Sequence, residues 1–385
     1  MRQALENLGT RINDVEGVDA ATPDWLISPE TFRGPTHVDC GLAGTVMRFV
    51  PLLAALANGD VRFDGDPHAR VRPMSTTIES LRALGVRVSD DGRGTLPFTV
   101  HGLGSVTGGT IELDATASSQ FISALLLAGS SFGTGIVIRH RGAAIPSMPH
   151  LDMTVSMLRD AGVDVSVDRE DLTKCEWVVA PGQILAHEWD IEPDLSNAAP
   201  FLAAAMATGG RTTIRRWPFM TDQAGDALRE LLTEMGGTLT RGDEGLTLLG
   251  PSQITGVDVD LHDVGELTPV IAVLCALAQT PSQLRGIAHL RGHETDRLAA
   301  LARELNALGG DVRETEDGLV INPQPLHSGV FNTYEDHRIA TAAAVLGLAI
   351  PGLSIENIET TNKTLPNFVS MWESMLGLVP EVAVS

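Results

Sequence analysis

The sequence predicts a mixed α/β (α+β) fold of two domains, assembled from repeated units of βαβαββ size. Three observations predict it. A chain of 385 residues exceeds the about 100–200 residues that a single core ordinarily serves. Strongly apolar helical stretches alternate with amphipathic ones along the whole length. Each amphipathic stretch ends at a glycine, and Gly85, Gly162, Gly236, Gly309 and Gly377 recur at intervals of about 68–77 residues, longer than common solenoid repeats.

The first members of each helix pair read "AGTVMRFVPLLAALANG", "SSQFISALLLAGSSFG", "LSNAAPFLAAAMATGG", "ELTPVIAVLCALAQT" and "DHRIATAAAVLGLAIPG". They are too apolar all round for surface helices and are expected at domain centres. The second members, "MSTTIESLRALGVRV", "LDMTVSMLRDAGVDV", "AGDALRELLTEMGGTL", "LAALARELNALGGDV" and "LPNFVSMWESMLGL", carry apolar residues at three- and four-residue spacing. A sixth second helix, "MRQALENLGTRI", ends at Gly9 without a first partner, so five and a half units are visible. Half a unit leaves apolar neighbours uncovered, and the chain is therefore expected either to lack its natural beginning or to tolerate an unusual deletion. The Pro/Asp/Asn/Ser cluster in "GQILAHEWDIEPDLSNAAP" suggests a boundary, giving expected domains at 1–190 and 191–385.

Composition narrows the function classes. A net charge of −22 repels nucleic acid and anionic membranes, and points to small-molecule partners unless a local basic cluster reverses the field. No apolar run approaches the roughly 20 residues of a membrane span, and the leading residues have no signal-peptide pattern. Cys40, Cys175 and Cys275 are too far apart for a CxxC motif, which argues against a zinc site or a disulfide framework. A cytoplasmic location is expected. Arg dominates over Lys, whose only occurrences are Lys174 and Lys363.

Short polar clusters stand where the repeat elements begin: "GLAGTVMR", "HARVRP", "SSQ", "HETDR", "EDHR" and "NKT". Singly each has an ordinary explanation; Gly44-Thr45 is a turn and cap, Asp336 an N-cap, and Ser118 or Ser119 a cap for the apolar helix that follows. Together they place Arg48, Arg338 and Lys363 at the N-terminal ends of helices, where the dipole disfavours a cation. A bound anion resolves the conflict, because guanidinium forks pair with carboxylate and phosphate while glycine allows close approach to backbone N–H groups.

In this order and across the whole chain, "AGTVMR", "SSQF", "HETDRL", "DHRIA" and "NKTLP" resemble the 3-phosphoshikimate 1-carboxyvinyltransferases, or 5-enolpyruvylshikimate-3-phosphate (EPSP) synthases. The resemblance implies the two-domain enolpyruvyl transferase fold, six βαβαββ units with the active site in a cleft between the domains. It further implies a monomer that uses no metal or organic cofactor. The implied reaction moves the enolpyruvyl group of phosphoenolpyruvate to the 5-hydroxyl of shikimate 3-phosphate and releases phosphate, within aromatic amino-acid biosynthesis. By similarity, Ser118, Ser119 and Ser147 hold the shikimate phosphate, Glu266 and His293 contribute to the same substrate, and Gln120 touches both substrates. Gly44, Arg72 and Lys363 receive the phosphoenolpyruvate phosphate, and Arg297 with Arg338 its carboxylate. Glu266 is the expected proton acceptor for the attacking hydroxyl, with Glu294 and His337 flanking the reacting carbons.

The sequence also departs from the family pattern. Leu42 and His289 stand where Asn is frequent, His293 where Lys is frequent, and Glu266 where others have Asp. A leading Lys-Ser-x-x-Asn-Arg segment is absent, so the expected activity of the chain as given is weak or nil. A second alternative, UDP-N-acetylglucosamine 1-carboxyvinyltransferase, is disfavoured because that family generally carries a reactive cysteine in the loop matching "DPHARVRPM".

Overall fold

The computed structural model describes residues 1–17 and 23–378; residues 379–385, at the end of the expected second domain, lie outside it. Its contacts divide the chain into two compact units, Met1–Glu188 and a second beginning at Trp189.

The first unit opens with α1 (Arg2–Asn7) and an antiparallel pair, β1 (Arg11–Val15) and β2 (Asp24–Ser28). Two complete repeats follow. One runs β3 (Thr36–Asp39), α2 (Gly44–Ala54), β4 (Asn58–Asp64), α3 (Ser75–Ala83), β5 (Arg87–Ser89), β6 (Phe98–Leu103), and forms a sheet ordered β3-β4-β6-β5. The other runs β7 (Gly109–Leu113), α4 (Gln120–Gly129), β8 (Ile136–His140), α5 (Met148–Asp160), β9 (Val165–Asp168), β10 (Glu176–Val179), ordered β7-β8-β10-β9. In both, the first pair is parallel and the remaining pairs are antiparallel. A helix bridging each parallel pair is the connection such strands require. Along β8, residues 136, 138 and 140 are buried while 137 and 139 are partly exposed, so the period-2 pattern turns one face to the core. The apolar α2 and α4 pack on each other inside one hydrophobic cluster. On β2, by contrast, Trp25, Leu26 and Ile27 are each more than half exposed, at 52%, 56% and 52%.

The second unit contains α6 (Leu195–Thr208), β11 (Arg211–Arg215), α7 (Leu228–Glu234), β12 (Thr238–Gly242) and β13 (Gly245–Leu249), with a three-stranded sheet ordered β11-β13-β12. A complete repeat follows: β14 (Asp258–Asp260), α8 (Thr268–Ala276), β15 (Ser282–Arg285), α9 (Arg297–Ala307), β16 (Asp311–Glu314), β17 (Leu319–Asn322), ordered β14-β15-β17-β16. The last consists of β18 (Val330–Phe331), α10 (His337–Ala349), β19 (Ser354–Ile355) and α11 (Phe368–Met375). All nine residues of α8 are buried, and α6, α8 and α10 contact one another in the centre of this unit's core. That burial is why these helices are apolar on every face.

The second helices end as their glycines require. Gly9, Gly85, Gly162, Gly236, Gly309 and Gly377 all lie in the left-handed region, with φ from 69° to 109°, where a side chain is strained. One expected helix is shorter than its sequence suggests. "AGDALRELLTEMGG" splits into a 3-10 turn, Ala224–Ala227, and α7. Gly225 is pressed against α6 so closely that a Cβ there would lie 2.7 Å from the Ser196 nitrogen.

Candidate active site

In the first unit, the polar clusters converge on the starts of α2 and α4. Ser119 stands at the N-cap of α4 but makes no side-chain capping bond. Ser118 Oγ instead accepts the Gln120 N–H at 3.3 Å. Arg48, one turn into α2 and only 8% exposed, donates from Nη1 to Gln120 Oε1 at 2.7 Å and to Ser118 Oγ at 3.3 Å. Its guanidinium also lies 5.1 Å from the Phe121 ring centre, a cation–π distance. The cation thus orients the serine and the glutamine ahead of the apolar helix.

Gly44 opens α2, and a Cβ at that position would lie 3.1 Å from Arg72 Nη2. Arg72 Nη1 donates to the Leu42 carbonyl at 3.3 Å, while its buried Nε has no partner among the described residues. Absence of a side chain at 44 is what lets the guanidinium approach the helix N-terminus, a place suited to an anion.

Ser147 precedes α5 at φ 57° and ψ 42° and caps nothing with its side chain. A left-handed serine costs roughly 1–2 kcal/mol, so its surroundings must hold it. The chain just before it is anchored by His140, which is fully buried. Its Nδ1 accepts the Ala115 N–H at 3.2 Å and its Nε2 donates to the Ala143 carbonyl at 2.8 Å. Both bonds together require the neutral Nε2–H tautomer. One imidazole therefore ties the segment leading to Ser118 to the segment leading to Ser147.

In the second unit, six of the expected residues surround one buried ion pair. Arg297, 2% exposed, grips the fully buried Asp336 through Nε–Oδ2 at 2.8 Å and Nη2–Oδ1 at 3.2 Å. The same Asp336 caps α10 by accepting the Arg338 N–H at 2.9 Å and the Ile339 N–H at 3.4 Å. Burial opposes its charge, but Arg297 prevails and holds the carboxyl below its usual range. Arg297 Nη2 also reaches Glu294 at 3.1 Å, and Nη1 faces His293 Nδ1 at 3.3 Å. Lys363 Nζ donates to the other Glu294 oxygen at 2.6 Å. Glu266 sits in a 3-10 turn, His262–Leu267, before α8, and its charge acts on His289, His293, Arg297 and Arg338.

Burial, then Arg338, pushes the His337 imidazole down to about 3, and its Nδ1 has no partner among the described residues. Burial and Arg297 push His293 to about 3 as well, and burial takes His289 to about 4. All three rings are neutral at physiological pH. Arg338, whose Nη1 donates to the Ser196 carbonyl at 3.3 Å, is lowered by burial and by Arg297. An anion placed beside Arg297 and Arg338 would relieve that repulsion.

One expectation is corrected. Lys363 closes the 3-10 stretch Ile358–Lys363 and does not begin a helix; α11 starts at Phe368. Its position agrees with the dipole preference for a cation at a C-terminal end, so dipole conflict was the wrong ground for singling it out. Its pairing with Glu294 is the better one. Two structural roles were not visible beforehand. Asp336 could be read as a cap, but nothing nearby in sequence marks it as the partner of Arg297, 39 residues away. Arg48 stands out in the sequence as a cation near a helix start, but nothing there marks its hold on Gln120.

Among the described residues, no group of His, Cys, Asp or Glu side chains is arranged to hold a metal ion. No described helix is long and apolar enough to cross a membrane. All three cysteines are buried, and burial pushes the Cys40 and Cys275 thiols up to about 12, far from a reactive thiolate.

Comparison with known proteins places the chain in a family. The family described as EPSP synthase (3-phosphoshikimate 1-carboxyvinyltransferase) matches residues 1–372. A 3-phosphoshikimate 1-carboxyvinyltransferase of Kocuria rhizophila is 53% identical over 383 residues, which cover 98% of this chain and 85% of that protein. An EPSP synthase structure from Acinetobacter baumannii superimposes with a TM-score of 0.76 at 23% identity, covering 98% of this chain and 86% of the other. The enolpyruvyl transferase NikO from Streptomyces tendae gives 0.68 at 19% identity, covering 97% and 85%. At such identities the two structures speak for the fold alone, and the fold is that of the enolpyruvyl transferases. With the whole-length family match and the Kocuria relative beside them, the chain belongs to the EPSP synthase family.

Proposed function

We propose that this chain transfers the enolpyruvyl group of phosphoenolpyruvate to the 5-hydroxyl of shikimate 3-phosphate, releasing phosphate, through the residues described above. In this reading Ser118, Ser119, Gln120 and Ser147 receive the shikimate phosphate, with Glu266 and His293 on the remainder of that substrate. Gly44, Arg72, Gln120 and Lys363 receive the phosphoenolpyruvate phosphate, and Arg297 with Arg338 its carboxylate. The enzyme is proposed to work as a monomer in the cytoplasm, without a metal or organic cofactor.

The observation that carries the reading is the Glu294 carboxylate bridging Lys363 and Arg297. Substrate anions compete for those two cations. As they take them, Glu294 loses the charges that favour its ionised form, so its proton affinity rises. A protonated Glu294 can then donate to the methylene carbon of phosphoenolpyruvate while Glu266 accepts the hydroxyl proton. The C–O bond forms at the carbon between the carboxylate and phosphate groups. Loss of phosphate and of a methyl proton restores the enol ether. His337, neutral and with an open Nδ1, offers a hydrogen-bonding group beside this chemistry without adding charge.

The test is a steady-state phosphate-release assay on single variants. Lys363→Ala and Arg338→Ala are expected to weaken phosphoenolpyruvate binding on the order of a hundredfold, the effect of removing one partner from a desolvated charge contact. Arg62→Ala serves as the comparison, since its side chain is 61% exposed and lies 3.9 Å from Asp64; it is expected to change little. Equal and negligible effects from all three would overturn the anion-site assignment.

A further inference from the structure

The turn that delivers Asp336, His337 and Arg338 has an unusual backbone. Asp336 N–H donates to the Thr333 carbonyl at 2.9 Å, and both residues between them, Tyr334 and Glu335, have φ of 56°. Two consecutive left-handed positions are the mark of a type I′ turn, which ordinarily takes Asn and Gly. Tyr-Glu is a poor choice there, and such a conformation persists only where the surroundings over-determine it.

The surroundings here are one carboxylate. Glu304, on α9 and 2% exposed, accepts the Asn332 backbone N–H at 2.9 Å and the Asn332 side-chain amide at 3.0 Å through Oε2, and the Tyr334 hydroxyl through Oε1. Arg303 lies over the Tyr334 ring at 5.9 Å, and Asn357 donates to Glu335 at 2.8 Å. A buried carboxylate is costly unless hydrogen-bonded, and the Asn332 and Tyr334 bonds that Glu304 accepts all lie at the entrance of this turn. α9 also carries Arg297, the partner of Asp336. Glu304 and Arg297 thus fasten α9 to the two ends of the same turn.

We propose that Glu304 and Tyr334 are positioning residues, which hold the Thr333–Asp336 turn in its left-handed form and so set the Arg297–Asp336 pair, His337 and Arg338 for phosphoenolpyruvate. This deepens the functional reading above and rests on it. Neither residue touches substrate; both act through the turn.

Tyr334 is the only tyrosine in the chain, so tyrosinate absorbance reports on this site alone. Burial and the bond to Glu304 raise its ionisation above the ordinary value of 10.0. In Glu304→Gln, which keeps the shape and removes the charge, the titration is expected to move down. Tyr334→Phe, which keeps the ring and removes the hydroxyl, is expected to raise KM for phosphoenolpyruvate roughly 10- to 100-fold, the scale of a small misplacement of binding groups. KM for shikimate 3-phosphate should stay within about twofold. Should Glu304→Gln fail to fold, Tyr334→Phe carries the kinetic test, because a phenyl ring fills the same space.

A folded Tyr334→Phe enzyme with both KM values and kcat unchanged overturns the proposal. So does a loss spread equally over both substrates, which would mark a general structural role. Arg338→Ala, assayed in parallel, separates this outcome from failure of the functional reading. An effect of Arg338→Ala without one from Tyr334→Phe sinks the positioning role alone, whereas no effect from either sinks the site assignment beneath it.

Discussion

Lowering the pH from 7 to 5 should destabilise this protein through His337 in a way that can be worked out in advance. The folded imidazole, 6% exposed, is pushed down to about 3, whereas in the unfolded chain it titrates near about 6.5. Across the window between these values the unfolded state binds the proton and the folded state does not, so stability is present above about 6.5 and is lost as the pH falls. From pH 7 to 5 the loss is about 2 kcal/mol for this one group, and it grows toward about 4–5 kcal/mol near pH 3. Between pH 7 and 5 the figure depends almost wholly on the unfolded value, because any folded value below about 4 leaves the native ring unprotonated. The assay is urea denaturation at pH 7, 6 and 5, on the wild type and on His337→Asn, whose side chain does not titrate. The wild type should lose about 2 kcal/mol more than the variant over this range. Parallel loss in the two proteins would refute the argument, since it would mean that His337 binds its proton equally in both states. His293 and His289, held low mainly by burial, act in the same direction and are present in both proteins, so they cancel in the comparison.

Two further substitutions probe the first unit. Gly44→Ala puts a methyl group 3.1 Å from Arg72 Nη2, tighter than an ordinary contact, so the guanidinium must shift; KM for phosphoenolpyruvate should rise roughly tenfold, and an unchanged KM would show that Arg72 does not serve that substrate. His140→Leu leaves the buried Ala115 N–H without its acceptor, whereas the exposed Ala143 carbonyl keeps its bond from Thr116 Oγ1 at 3.3 Å; urea denaturation should register about 1–3 kcal/mol for the one orphaned group. KM for shikimate 3-phosphate should rise with it, and His140→Asn, which keeps an acceptor near the Nδ1 position, should recover part of both effects.

Much of the fold could be read from periodicity because burial and composition are tied together residue by residue. α8 is apolar on every side and every one of its residues is buried, and the glycines after the amphipathic helices lie at the left-handed φ that only they adopt without strain. These are local relations, visible wherever one stretch of chain is examined. Lys363 shows where local reading fails. It closes a short 3-10 stretch and begins no helix, because boundaries depend on hydrogen bonds that composition does not reveal, and its partner, Glu294, lies 69 residues away. Tyr334 and Glu304 gave no signal at all, since a strained turn is recognised by its dihedral angles and a buried acid by what surrounds it.

What the sequence by itself determined is the repeat, the helices that must be buried, the glycine stops and the residue types able to neutralise anionic substrates. Hydrophobic period and backbone freedom act over a few residues, so a linear text records them. Only the tertiary structure decided which charges meet. Asp336 holds Arg297, Glu294 joins Arg297 to Lys363, and Glu304 secures the turn ahead of His337 and Arg338. Electrostatic and hydrogen-bonding energies depend on distance and burial in space, and folding sets both between residues that the chain keeps far apart.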